Sequence, residues 1–257
     1  MMQRINWRQG LSVSATLIGL LAVWQLLCML FAVPAYLLPT PIDIGSRMVS
    51  DGDVLLRHSG ITIFEILAGF GMSVVFGVPA AIIFVYSRYF SQAVFPLLIG
   101  LQCVPMISIT PLLITWLGFG LVTKVVIAFL IAFFPIIVSA VVGLKSMEKE
   151  MLMLATSLRA SKFQIFLHFR LPKALPSIFG GFKVGITLSV VGAVVAEFVS
   201  SDRGLGYLQL VANAQFDITM QFCVIVMLAI IGLVLYNLVA WIERIALPWY
   251  RASRGGE

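Results

Sequence analysis

Charge is what this chain has least of: Asp, Glu, Lys and Arg together make up 11% of its 257 residues, against about 25% in soluble domains. A water-soluble surface is thereby excluded. Hydrophobic residues account for 61% and the mean hydropathy is +1.07, so the chain reads as an integral membrane protein. Cysteine is scarce too. Cys28, Cys103 and Cys223 lie inside apolar stretches at no pairing or metal-ligand spacing, which leaves them as packing residues and excludes a disulfide framework or redox centre. Neither His58 nor His168 stands near a Cys or an acid in a ligand pattern, so no metal or catalytic constellation is expected. There is no Gly-Lys dipeptide. Without a G-x-x-x-x-G-K-[ST] loop the chain cannot bind ATP by that means. The net charge of +6 would suggest nucleic acid in a soluble chain, but here the basic residues sit at the ends of hydrophobic spans, where they set orientation. No nucleic-acid partner is expected.

What the chain does have is a series of apolar runs. Arg4 and Arg8 precede the first, residues 11–33, which is longer than a signal peptide's roughly 7–15 apolar residues and closes on no A-x-A pattern, so it is expected to remain as an anchor. In the polar segment 34–60, Thr40, Pro41 and Asp43 supply an N-cap, a first-turn proline and an N3 acid, the start of a short surface helix. Five further runs, 61–86, 91–117, 122–143, 176–199 and 219–241, are each long enough to cross about 30 Å of hydrocarbon. With the N-terminus inside, the inner segments hold Arg4, Arg8, Arg88, Lys145, Lys149, Arg159, Lys162, Arg170, Lys173, Arg244, Arg251 and Arg254. The outer ones hold Arg47, Arg57, Lys124 and Arg203, with Lys183 left uncounted. Twelve against four places both termini, and the long polar stretch 145–176, in the cytoplasm.

That stretch carries its own pattern. Met151, Leu154, Ala155 and Leu158 recur at i, i+3, i+4 and i+7, an apolar stripe on a short helix. After a turn at Arg159 and Ala160, Ser161 stands three residues before Gln164 at capping-box spacing. Phe163, Phe166, Leu167 and Leu171 then form a second apolar face, which Pro172 and Pro176 are expected to interrupt. The result is a helix-turn-helix outside the bilayer with more apolar surface than its few residues can bury.

Three other features are candidates for a solute path. Small residues form stripes at Gly69, Ser73 and Gly77 and at Gly181, Gly185, Ser189, Gly192 and Ala196, where another helix can approach closely. The third apolar run contains Pro96, Pro105 and Pro111; on an unbroken helix Gln102, Met106 and Thr110 fall within an arc of roughly 80°, a candidate path lining. Glu65 and Glu197 fall near the outer ends of their spans, where they are candidates for an outer gate or for pairing with a basic group. No acid is left at the midplane, which weakens a standalone secondary carrier or channel as the alternative, and no inverted repeat or filter-like loop supports one.

The loop resembles the signature of the membrane permease subunits of binding-protein-dependent ABC importers, E-A-A, three residues, G, nine residues, I-x-L-P. Here it reads Met153, Leu154 and Ala155, then Arg159, then Phe169, Arg170, Leu171 and Pro172. Ala155, Leu171 and Pro172 match; Met153, Leu154, Arg159 and Phe169 depart from it. A glycine at the Arg159 position suits a left-handed helix end, so either the turn differs here or something compensates. With the following VGAVVAEF, SDRGLGYL and ERIALPWY, the order is similar to the nitrate/sulfonate/taurine-type branch, over residues 61–250. The resemblance implies an all-α membrane protein of the type I importer kind, with six transmembrane helices and a cytoplasmic coupling loop. Residues 1–60 would form an anchor helix and outer amphipathic segment, 61–250 the core, and 251–257 a cytoplasmic tail. It implies a multi-pass protein of the bacterial inner membrane, surrounded by lipid and working as a homodimer, that is not itself an enzyme. Its partners would be a cytosolic ATPase carrying the ATP, docked on Met151, Leu154, Ala155, Leu158, Arg159, Ser161, Phe163, Phe166, Leu171 and Pro172, and an extracytoplasmic binding protein; this chain would bind no cofactor. Helix five, with Ser189, would lie beside the path of a small polar or anionic solute such as nitrate, a sulfonate, an aromatic carboxylate or a vitamin precursor.

Overall fold

Small residues decide how the central helices pack. In the computed structural model, which describes residues 7–102 and 104–250, helix α6 (Leu121–Lys145) lies between α3 (Gly52–Tyr86) and α9 (Leu171–Ser200). A Cβ on Gly69 of α3 would stand 2.6 Å from Ala128 Cβ, and one on Gly192 of α9 would stand 2.7 Å from Ala128 Cα. One on Gly185 would come within 2.8 Å of Ile136 Cδ1. Both small-residue stripes therefore close on the same central helix, and Ser73 Oγ bridges the gap by donating to Phe129 O at 2.9 Å. Helix α6 is thus in near-backbone contact with α9 at Gly143, Gly181 and Gly192, and with α3 at Gly69.

Around this unit lie the remaining elements. Helix α1 (Trp7–Leu30) is peripheral, with most of its apolar side chains exposed and Trp24 set against Phe222 at 5.8 Å. Helix α2 (Pro41–Ser50) starts on the expected cap, with Asp43 N–H donating to Thr40 Oγ1 at 3.2 Å and Asp43 Oδ2 accepting from Thr40 N–H at 3.2 Å. Helix α3 begins at Gly52 rather than near residue 61. The extra turns stand beyond the apolar run, and an Arg57–Asp53 pair at i, i+4 supports them. Helix α11 (Ile218–Ala246) is tied to α9 by Lys183 and Glu243 at 2.7 Å. Four helical stretches, Gly52–Tyr86, Leu121–Lys145, Lys162–Ser200 and Ile218–Ala246, are each long and apolar enough to cross a membrane. With α1 and a divided third segment they make up the all-α transmembrane fold.

Two expectations need correction. The third apolar segment is not one helix: a π-turn (Phe90–Val94) leads into α4 (Phe95–Leu101), the chain breaks, and α5 (Met106–Leu117) follows. Pro105, at φ −60° and ψ 117°, has no N–H to continue the ladder and disfavours helical geometry at the residue before it. The second correction concerns Pro172 and Pro176, which do not end a helix. Helix α8 (Lys162–Ile165) runs through a π-turn (Phe166–Arg170) into α9. The wider turn, in which Leu171 N–H donates to Phe166 O, lets the ladder reach the first turn of α9, where Pro172 lacks a donor at little cost. One further helix, α10 (Leu205–Ala214), fills the connection between α9 and α11 and was not anticipated.

Cys28 and Cys223 are buried free thiols, and Cys223 Sγ donates to Ile44 O at 3.5 Å. Cys103, Arg4, Arg251, Arg254 and the tail 251–257 lie outside the described residues.

Candidate coupling loop and outer polar cluster

The loop between α6 and α9, expected on the inner side, is built from α7 (Lys149–Ser157) and α8. Ser161 caps α8 as its spacing predicts: Gln164 N–H donates to Ser161 Oγ at 3.2 Å, and Ser161 N–H to Gln164 Oε1 at 2.8 Å. The turn between the helices keeps the left-handed conformation, with Arg159 at φ +56°. Arg159 N–H donates to Thr156 O at 2.9 Å and Ala160 N–H to Ala155 O at 3.1 Å, the paired bonds of a Schellman helix end.

Of the stripe on α7, only Ala155 is buried; Met151, Leu154 and Leu158 are exposed, Leu158 at 69%, as is Phe163 at 70%. Ser161 and Arg159 are exposed as well, while Phe166, Leu171 and Pro172 are half-buried. Phe166 turns inward, edge-on to Tyr86 at 6.0 Å, with the Arg170 guanidinium over the same Tyr86 ring at 5.2 Å. Lys173 Nζ meets Glu148 Oε1 at 2.5 Å, a hydrogen bond and charge that hold the Glu148 carboxyl below the ordinary carboxylate range. The loop is thus fastened to α3 and α9 on one side and bare on the other.

At the end of the bundle opposite this loop, where the positive-charge count expects the outer face, four helices meet in a polar cluster. Glu65 of α3 and Glu197 of α9 are both fully buried. Lys124 of α6, which charge counting placed in an outer segment, is buried against them with Nζ 2.5 Å from Glu65 Oε1 and 3.0 Å from Ser201 Oγ. Thr62 Oγ1 donates to Glu197 Oε1 at 2.7 Å and accepts from Leu205 N–H at 2.9 Å. Gly206 N–H donates to the other Glu197 oxygen at 2.5 Å, so this carboxylate satisfies the N-terminus of α10. Gly204 N–H donates to His58 Nδ1 at 3.0 Å. Gly204 has φ +110°, and a Cβ there would run into the Glu197 carboxyl. Beside the cluster, an open cleft of about 1030 Å³ is lined by Arg57, Phe64, Phe119, Lys124 and Arg203, among others.

The path candidates are dispersed. The break before α5 takes Gln102 off the arc of Met106 and Thr110; Gln102 is exposed, and Thr110 is fully buried with Oγ1 donating to Met106 O at 3.1 Å. Ser189 is buried within the small-residue stripe. Sequence reasoning found Glu65 and Glu197 but not Lys124, Thr62 or the α10 N-terminus; Thr62 and Glu65, three apart on one helix face, were the available signal.

Comparison with known proteins points the same way as the all-α fold and the helices of membrane length. Residues 73–251 match the family described as binding-protein-dependent transport system inner membrane component. The chain belongs to that family. It is 33% identical over 223 residues to a probable ABC transporter permease protein of Haemophilus influenzae, covering 87% of this chain and 91% of that one. Identity to the riboflavin transport system permease protein of Chloroflexus aurantiacus is 35% over 251 residues, 96% and 93% of the two chains. Permeases for aliphatic sulfonates, taurine and nitrate are also among its relatives, as the branch resemblance implies. Among solved structures, the inward-facing MetNI methionine ABC transporter superposes with a TM-score of 0.67 at 18% identity, covering 76% of this chain and 97% of that one, which shows the shared importer fold. The chain is an ABC-importer permease, a multi-pass inner-membrane transport component.

Proposed function

We propose that this permease forms the translocation path of an ATP-driven importer as a homodimer, with each inner loop seated on a cytosolic ATPase that holds the ATP. Solute arrives on an extracytoplasmic binding protein, and both termini face the cytoplasm. The observation that carries this reading is the bare face of the loop, where Leu154, Leu158 and Phe163 are 57%, 69% and 70% exposed beyond the apolar spans. Each such side chain gains about 1.5–3 kcal/mol when covered, and water offers no such cover.

The loop's construction suits transmission of force. From Lys162 to Ser200 the helical path is continuous over 39 residues, roughly 55–60 Å, and Glu197 stands near its far end holding α10. ATP would close the ATPase pair, the loops would follow as rigid bodies, and the outer ends would alternate between closed and open. Small-residue contact along α3, α6 and α9 makes these three move together, so Glu65 and Glu197 act as fasteners within the moving body rather than as its gate. The cargo is a small polar or anionic solute: nitrate, a sulfonate such as taurine, an aromatic carboxylate or a vitamin precursor, the last in keeping with the riboflavin permease relative.

Co-purification tests the docking. Leu158→Ser with Phe163→Ser should release the ATPase while the permease still inserts, because neither side chain is buried in this chain. Wild-type stoichiometry and uptake in the double variant would remove the loop from the ATPase interface.

A further inference from the structure

We infer that Arg159 makes a buried ionic contact with a carboxylate of the ATPase, so that docking is selected by charge as well as by apolar cover. This rests on the docking reading above. Arg159 occupies the C′ position of the Schellman turn at φ +56°, where glycine is the residue of least strain. The turn gains nothing visible from an arginine, since both of its bonds are backbone to backbone. Among the described residues, the guanidinium is exposed and has no hydrogen-bond or ion-pair partner. It is also surrounded in sequence by the bare patch: Leu154 and Leu158 precede it and Phe163 follows, with Lys162 likewise exposed and unpaired. Over residues 145–176 the chain carries six cations (Lys145, Lys149, Arg159, Lys162, Arg170, Lys173) and two acids (Glu148, Glu150), and Glu148 is already taken by Lys173.

These facts constrain the partner. A protein surface that seals Leu158 and Phe163 must pass over the residue at the turn between them. Covering a guanidinium without a counter-charge is strongly unfavourable, whereas its planar fork matches a carboxylate in two parallel hydrogen bonds. The groove that receives this loop therefore presents Asp or Glu opposite Arg159, with further acidic character towards Lys162. A strained backbone kept for a side chain that does nothing within its own subunit is accounted for by that contact.

The test uses the purified permease in nanodiscs, titrated with its ATPase at several salt concentrations. Arg159→Gly relieves the backbone and removes the whole side chain, so a strained turn cannot explain a loss and the salt dependence reports the part due to charge. It should weaken association at least about tenfold and flatten the salt dependence, and Arg159→Glu should weaken it further. Arg159→Lys, which keeps the charge but not the fork, should fall between wild type and Arg159→Gly. Wild-type affinity and salt dependence in Arg159→Gly would overturn the ionic contact while leaving the docking surface standing, provided Leu158→Ser with Phe163→Ser still releases the ATPase. If that double variant also binds normally, the docking reading falls and the ionic contact with it.

Discussion

Lys124→Met is the sharpest perturbation of the outer cluster. It removes the cation paired with Glu65, whose side chain is fully buried, and leaves that carboxylate without its counter-charge. Breaking a buried pair from one side costs about 3–5 kcal/mol, because desolvation of the surviving charge is no longer offset. Loss of the Lys124–Ser201 hydrogen bond adds about 1 kcal/mol. For a chain of this size each kcal/mol is worth roughly 2–4 °C of melting temperature, so the single variant, at about 4–6 kcal/mol in all, should melt roughly 8–24 °C below wild type. Glu65→Leu alone strands the ammonium and should behave similarly. Combining Glu65→Leu with Lys124→Met replaces both charges by apolar groups of similar bulk, a change that is often neutral or stabilising. The double variant should thus be more stable than either single one, which requires a coupling energy larger than either single loss, at least about 4 kcal/mol. Thermal unfolding in nanodiscs, followed by tryptophan fluorescence, measures all four proteins. Single variants within about 1 kcal/mol of wild type, or strictly additive losses, would refute the buried-pair reasoning. Uptake by the double variant separates a fastener from a gate: transport should survive if the pair only holds α3 to α6.

Gly185→Leu should insert normally but lose transport, since its side chain would be driven into Ile136 from 2.8 Å and overpacking costs about 1–3 kcal/mol; unaltered uptake and stability would mean that this face does not meet α6. Gly204→Ala should destabilise the outer end by about 1–3 kcal/mol, because φ +110° suits glycine and the new Cβ would displace the Glu197 carboxyl. Limited proteolysis between α9 and α10 should then accelerate, and a wild-type digestion rate would count against the cluster as the anchor of α10.

What the sequence determined by itself is short-range or compositional. Membrane class follows from hydropathy, because the bilayer selects whole runs rather than individual contacts. Both helix starts, at Thr40 and Ser161, were legible, since each depends on atoms within a few residues, whereas the sequence left open whether the turn at Arg159 is left-handed and the structure decided it. The apolar stripe on α7 was legible too, though Ala155 alone of its four members is buried within this chain. Proline was the least reliable guide. Pro105 breaks its segment, while Pro172 and Pro176 sit inside a continuous helical path, which a π-turn leads into so that Pro172 falls in the first turn of α9. Tertiary structure alone decided where the glycine stripes point: both close on α6, because a stripe permits close approach without naming the helix that approaches. It also decided the outer cluster. Thr62 and Leu205 are 143 residues apart, and a buried carboxylate such as Glu65 or Glu197 requires donors without specifying which segment brings them. Lys124 and the first turn of α10 are those donors because packing delivers them to the same place.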